Sequence, residues 1–307
     1  MLIINKTKPI LYLGFVLLLT ACTNNSVEVV DLDKSPLLSC EHLLDILNHK
    51  IDNYKIIDIR EAVDYEQGHL PSAIQTWRED YEDNKHTTKG MMASKTQMEA
   101  LLGAWGVQPQ DTLVLYDGNG NSNACRLWWI LSAYGYHNIK ILDGSFRRWQ
   151  LLRYPIDTLS PSPSKTSIQL QTIDYSNHAN YTDVQQQLLH QGTLLDSRTI
   201  EEYTGVLKKG KVKRGGRIPT AIRFDWSELV SIGPREDGTF KDLAVIQQKL
   251  EALALQPDQP IIVYCQSGVR SACVTFVLQE LLGYQNVKNY DGSWLEWGNS
   301  DWPIEVD

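Results

Sequence analysis

Short, largely apolar runs alternate with longer amphipathic stretches along most of this chain. Tyr54–Ile59, Leu113–Tyr116, Ile139–Leu142 and Ile261–Tyr264 have strand length and near-continuous apolar or aromatic character. Continuous rather than alternating hydrophobicity predicts strands buried on both faces, as in parallel sheets. Helical spacing predicts helices over Glu41–Asn48, Thr96–Trp105, Cys125–Tyr134 and Ala272–Leu282, with Ser39 placed to cap the first. Strands interleaved with helices imply an α/β fold, a mainly parallel sheet with helices on both faces. Sites in such sheets form at the carboxyl ends of the strands.

The pattern occurs twice in one chain. Leu113–Tyr116 matches Ile261–Tyr264, Gly120 matches Gly268, Ala124-Cys125 matches Ala272-Cys273, and Gly135-Tyr136 matches Gly283-Tyr284. Asp143-Gly144-Ser145 matches Asp291-Gly292-Ser293, and Trp149 matches Trp297, each pair 148 positions apart. Gly68-His69-Leu70-Pro71 aligns with Gly216-Arg217-Ile218-Pro219 at the same offset. Asp58-Ile59-Arg60 aligns with Asp196-Ser197-Arg198 at 138, so the second copy carries an insertion of about ten residues around Leu207–Arg214. A register held over that length predicts a duplicated domain, residues 37–157 and 181–307. The linker, 158–180, begins at Thr158–Lys165, where Pro161 and Pro163 stand among serines.

Residues 1–22 fall outside this pattern. Lys6 and Lys8 precede an apolar core, Ile10–Leu19, of signal-peptide length, which ends in Leu19-Thr20-Ala21-Cys22. That ending resembles a bacterial lipoprotein signal, which implies lipidation of Cys22 and a membrane anchor through the N-terminal lipid. Residue 23 is Thr rather than Asp, which favours the outer membrane facing the periplasm. Residues 23–36 are polar and acidic, and suit a tether. The net charge of −8 and the lack of a basic tail exclude a nucleic-acid-binding class. Five cysteines (22, 40, 125, 265 and 273) show neither metal-ligand spacing nor a dense disulfide framework, though a structural disulfide stays open at this stage.

Candidate chemistry concentrates at Cys265-Gln266-Ser267-Gly268-Val269-Arg270-Ser271. A thiol at the end of a buried strand, followed by a tight loop and a helix start, faces unpaired N–H groups and the positive end of the helix dipole. Both favour the thiolate, and Arg270 adds a full charge. N–H groups from Gln266 to Ser271 can ring the sulfur, and Gly268 relieves crowding where the backbone curls around it. Cys265 is therefore the candidate nucleophile. A buried structural cysteine in a turn is the competing reading. The first copy has Asp117 at the equivalent position, which cannot carry sulfur.

Asp-x-Arg, Gly-x-[Ile/Leu]-Pro-x-Ala, a strand ending in Cys-x-x-Gly-x, and Asp-Gly-Ser-[Phe/Trp]-x-x-Trp, in two copies with only the second Cys kept, resemble a tandem rhodanese-type sulfurtransferase. The resemblance implies two rhodanese-like domains, an inactive N-terminal copy and a catalytic C-terminal one. It also implies transfer of a sulfane sulfur from a small anionic donor, thiosulfate or 3-mercaptopyruvate, through a Cys265 persulfide. The acceptor would be cyanide, a thiol or a protein cysteine, with no cofactor or metal. Gln266 and Ser267 replace the basic residues that thiosulfate-using members tend to carry after the Cys. Ser267 is closer to the mercaptopyruvate-type loop, in which a Ser acts with a His and an Asp of the N-terminal half, and His69 matches the place of that His. Arg270 instead resembles single-domain rhodaneses and could bind the donor as a fork. Glu202 stands where members using these acids carry a substrate-binding Arg. Donor preference stays open on these residues.

Several residues carry a plainer reading beside the functional one. Asp196 and Arg198 suit an ion pair or bonds to loop carbonyls as well as a supporting catalytic role. His69 suits turn stabilisation, because the second copy has Arg217 there. Arg270 could pair with an acid. Cys125 and Cys273 suit helix packing more than a resolving thiol. Lys208, Lys209, Lys211, Lys213 and Arg214 suit a solvated loop, although cations beside a cleft would steer anions toward it. Two other functions compete with sulfur transfer. One is a non-enzymatic sulfur carrier. The other is a Cys-loop phosphatase, which needs its Arg six positions after the Cys, whereas Arg270 lies five after Cys265.

Overall fold

The computed structural model describes residues 35–118 and 120–307; Cys22, the signal segment and nearly all of the 23–36 tether lie outside them. The first half holds strands β1 (Leu37–Leu38), β2 (Tyr54–Asp58), β3 (Ile74–Gln75), β4 (Thr112–Tyr116) and β5 (Ile139–Leu142). The second holds β6 (His178–Ala179), β7 (Thr193–Asp196), β8 (Ile222–Arg223), β9 (Ile261–Tyr264) and β10 (Val287–Tyr290). Each set forms a five-stranded sheet, in the orders β1-β5-β4-β2-β3 and β6-β10-β9-β7-β8. Every pairing between these strands is parallel. The two-residue strands β1, β3, β6 and β8 are too short to leave a hydrophobic signature, and sequence pattern did not find them.

Side chains alternate across each sheet and sort into three cores. Leu113 and Leu115 of β4, with Val263 of β9, face a shared central core between the two halves. Val114 and Tyr116 face the outer core of the first half, and Ile262 and Tyr264 that of the second. Two buried helices, Ser122–Ala133 and Val269–Phe276, pack against each other at the centre. Trp128 meets Phe276 there edge-on, with ring centroids 5.0 Å apart. Trp149 and Trp297 are both fully buried, with indole N–H donated to Pro155 O at 2.8 Å and Pro303 O at 2.9 Å.

The sequence repeat is also a contact repeat. His69 bridges Asp157 as Arg217 bridges Glu305, and Glu82 bridges Met92 as Val230 bridges Phe240. Across the junction, Asp291 accepts the Met92 N–H at 3.0 Å and Asp143 accepts the Phe240 N–H at 2.9 Å. Each Asp-Gly-Ser turn thus clamps the other half. The connecting segment runs along the first half, where Thr166 donates its N–H to Gly103 O at 3.0 Å and its hydroxyl to Val107 O at 2.7 Å.

Expected element ends shift by a few residues. Ser39 does cap the first helix, accepting the His42 N–H at 3.1 Å. The helix expected over Ala272–Leu282 begins earlier, at Val269, and passes into one π turn over Val277–Leu281. It begins early because Gly268, with φ +75°, turns the chain straight from the strand into the helix.

Candidate active site

β9 delivers Cys265 to the carboxyl end of the second sheet, where the residue is 1 % exposed. Gln266 to Gly268 form the turn, and Val269 opens the helix. The Ser271 hydroxyl lies 3.5 Å from the Cys265 sulfur. Burial opposes ionisation of this thiol. The Arg270 charge, the Ser271 hydroxyl and the N–H groups of Ser271 and Ser267 outweigh burial and hold the thiol below its ordinary value. Two other buried thiols behave differently. Burial pushes Cys40 up to about 12 and raises Cys125 as well. All four described cysteines are free thiols, so none of them forms a disulfide with another.

The ring of N–H groups is less complete than the sequence suggests. The Cys265 and Gly268 N–H groups are donated to Ser293 Oγ, at 3.2 and 3.0 Å, and Ser293 donates its own proton to Tyr290 O at 2.7 Å. The Ser293 hydroxyl therefore ties both ends of the turn to the Asp-Gly-Ser segment. Trp294 and Leu295 add N–H bonds to Cys265 O and Gln266 O, at 3.0 and 2.9 Å. Gln266 donates its side-chain N–H to Lys209 O at 2.6 Å, which fixes the insertion beside the loop.

Arg270 corrects an expectation. Both of its terminal nitrogens are donated to Glu202, at 2.7 and 2.8 Å. Its fork is committed to a carboxylate and is not an open clamp for an anionic donor. Glu202 is itself buried, yet the Arg270 bonds and charge overcome desolvation and hold its carboxyl below the usual range.

His69 is not brought to the Cys265 loop. Its ring stacks on Tyr65, with centroids 3.7 Å apart, and its nitrogens meet Tyr65 O at 3.0 Å and Leu159 O at 3.4 Å. These partners belong to its own turn and the start of the linker. Arg217 fills the matching place in the second half, over the Tyr203 ring and paired with Glu305 and Asp307. The position locks a turn in both copies, which is why it does not reach across.

Asp196 and Arg198 stand at the end of β7 as a buried pair. Arg198 donates to Asp196 at 2.9 and 2.6 Å and to Gly216 O at 2.8 Å, and its guanidinium covers the Trp294 ring. Arg60 does the same with Asp58 and Gly68 O, over Phe146, in the half whose loop has Asp117 in place of the cysteine. A pair kept beside Asp117 as well as beside Cys265 serves to anchor the turn in both copies.

The first half supplies loop contacts that sequence reading missed. Arg78 donates to Ser267 Oγ at 3.4 Å while pairing with Glu82. A Cβ on Gly90, whose φ is +89°, would lie 3.1 Å from the Cβ of Ser267. Arg126, fully buried on the helix Ser122–Ala133, donates to Gly90 O at 2.7 Å, to Gly268 O at 3.5 Å and to the Asp291 carboxylate. Arg126, helped by His178 and the Met92 N–H, draws the Asp291 carboxyl down to about 2 against the cost of burial. A signal was present in the sequence. A cation sits in an apolar helix of one copy, where the other copy has Val274.

Residues 43–152 and 181–300 each match the rhodanese-like domain family. A thiosulfate sulfurtransferase of Corynebacterium glutamicum is 34 % identical over 264 residues, which cover 82 % of this chain and 85 % of that protein. Among solved structures, Tum1 from Saccharomyces cerevisiae superposes with a TM-score of 0.77 at 22 % identity, covering 89 % of this chain and 98 % of that one. SseA from Escherichia coli, grouped with the 3-mercaptopyruvate sulfotransferases, gives 0.74 at 24 % identity, covering 85 % and 99 %. At those identities the two structures speak to the fold. The paired family matches and the 34 % identical relative make this chain a tandem-domain sulfurtransferase of the rhodanese family.

Proposed function

We propose that Cys265 carries the sulfur and that thiosulfate is the better donor. The observation that carries this reading is the contrast among buried thiols: Cys265 is held below the ordinary thiol value while Cys40 and Cys125 are raised. The thiolate attacks the outer sulfur of thiosulfate, and the S–S bond of the donor breaks. Sulfite leaves with the electron pair, and Cys265 becomes a persulfide anion. Cyanide or a thiolate then attacks the terminal sulfur, forming thiocyanate or a new persulfide, and Cys265 returns as thiolate. Sulfite needs no proton to leave. With 3-mercaptopyruvate the S–C bond breaks and pyruvate leaves as its enolate, which must be protonated, and His69 is engaged by Tyr65 and Leu159 in its own half. That difference favours thiosulfate, and 3-mercaptopyruvate is the second donor.

Thiocyanate formation with each donor, in wild type and in Cys265→Ser, tests the assignment. Loss of about a thousandfold or more is expected in the variant, because the nucleophile itself is removed. A variant that keeps full turnover rejects it. A wild type that gains a persulfide from thiosulfate yet never releases it to cyanide or thiols is a sulfur carrier instead. We further propose export and lipidation at Cys22, with anchoring at the outer membrane facing the periplasm. Support comes from the basic, apolar and Leu19-Thr20-Ala21-Cys22 segments in series. The mass of the mature N-terminus decides it: an unmodified or uncleaved chain rejects the anchor.

A further inference from the structure

The insertion of the second copy has no part in the chemistry above, yet the fold fastens it to the active loop. Gln266, next to Cys265, donates to Lys209 O at 2.6 Å. Asn299 donates to Lys211 O at 3.0 Å and accepts the Lys213 N–H at 2.9 Å, while Arg214 donates to Trp302 O at 2.7 Å. Its backbone is therefore fixed while its side chains point outward. Lys208, Lys209, Lys211 and Lys213 are exposed, and none pairs with an acid among the described residues. Beside them Val206 is 84 % exposed and Leu207 48 %. Such a patch is unusual on a chain with a net charge of −8.

The patch borders a cleft of about 700 Å³, with Thr88 and Lys89 of the first half on one wall and Gly210, Lys211 and Leu295 on the other. Glu296, the acid in that wall, accepts the Tyr290 hydroxyl at 2.6 Å. Two neighbours link the cleft to the active loop. Leu295 donates to Gln266 O at 2.9 Å, and Gly90, next to Lys89, faces Ser267. A thiosulfate ion would fill a small fraction of such a space. A peptide segment fits it.

We propose that the insertion and this cleft form the docking surface for the sulfur acceptor, an acidic protein segment that presents a cysteine thiol. The inference rests on the persulfide reading of Cys265 and adds the identity of the acceptor's chemistry. Unpaired cations on an acidic body orient an acidic partner toward this one face. Exposed Val206 and Leu207 give the apolar contact that a charged rim surrounds in protein interfaces. The acceptor thiolate attacks the terminal persulfide sulfur, the S–S bond to Cys265 breaks, and the acceptor departs as the persulfide. No oxidant or reductant is consumed.

The test starts from full-length protein loaded with thiosulfate, with the Cys265 persulfide verified by intact mass. Failure to load refutes the persulfide reading and, with no sulfur to hand on, overturns the docking proposal that rests on it. Two five-residue peptides with a central cysteine, one flanked by four acids and one by four lysines, then discharge the persulfide. The acidic peptide is expected to show at least about tenfold higher kcat/KM at low salt, a preference that collapses at high salt. It also collapses when Lys208, Lys209, Lys211 and Lys213 are all changed to Ser. Equal rates for the two peptides, or a preference that survives the quadruple change, overturn the proposal. It is equally overturned if the peptides do not differ while vesicles containing phosphatidylglycerol bind the wild type and not the variant. The patch would then be a membrane contact.

Discussion

The two halves place an acidic side chain at the same point of the same frame, a carboxyl in one and a thiol in the other. In the first half Asp117 follows β4 as Cys265 follows β9. Its carboxylate accepts the N–H groups of Asn121 and Asn123, both at 3.0 Å, and the Ser145 hydroxyl at 3.0 Å. Asn123 is the counterpart of Ser271, whose N–H helps hold the Cys265 sulfur. Gly120 and Gly268 turn with φ of +83° and +75°. The strand end, the αL turn and the helix start therefore form an anion nest in both copies, whatever occupies it. In the first copy an internal carboxylate fills the nest for good. In the second the occupant is a single sulfur atom.

The largest effect comes from moving the thiol. In a Cys265→Ser/Asp117→Cys double variant, sulfur transfer is expected to stay at least about a thousandfold below wild type. The first loop has Ser122 where the second has Arg270, so a thiol there lacks the charge that opposes desolvation. Thiocyanate assays and a persulfide mass check decide it. Appreciable rescue would mean that the nest alone activates sulfur, and the comparison would lose its central difference.

A second test removes the support that the first half lends. Arg126 joins Gly90 O, Gly268 O and Asp291 inside the junction. Arg126→Met leaves the buried Asp291 with the Met92 N–H and the His178 ring 3.9 Å away but without its guanidinium, and loss of one member of a buried ion pair typically costs about 3–5 kcal/mol. Urea unfolding should show that loss. Arg126→Lys, which keeps the charge but not the fork, should recover part of it. The matching position in the second half is Val274, so Val274→Ala should cost less, about 0.5–2 kcal/mol as a simple core truncation. Equal costs at the two positions would erase the asymmetry.

Much of this frame was legible in the sequence, because buried parallel strands and a fixed 148-residue register leave strong one-dimensional signatures. The strand Ile261–Tyr264, the Ser39 cap and the paired Trp149 and Trp297 follow from short-range patterns and from repetition. What was hidden depends on which side chains meet across the junction. Arg78 and Gly90 carry no motif, and they touch Ser267 only because the two halves pack face to face. His69 misled because its family position was legible but its partners were not: the stack on Tyr65 is a local contact that sequence spacing does not reveal. Arg270 had two possible partners, a donor anion or an acid. Its choice of Glu202 required knowing that the helix starting at Ile200 lies against the loop.

That choice gives the finest test. Arg270 lowers the Cys265 thiol, and Glu202, on the same guanidinium, cancels part of that charge at the sulfur. The sign follows from the thiol being an acid whose folded value is depressed: persulfide formation should be level at high pH and fall as pH drops through a midpoint below the ordinary thiol value. Glu202→Gln keeps one acceptor for the fork but removes the negative charge, so the midpoint should move lower still, by about half a unit. Below the midpoint that is roughly threefold more thiolate and a proportionate gain in the loading rate at limiting thiosulfate. Stopped-flow loading or alkylation rates across pH would measure it. A midpoint that moves up instead would show that Glu202 matters for holding Arg270 in place more than for its charge. The contrast with the Asp117 loop would then lie in the geometry of one ion pair and not in the net charge around the sulfur.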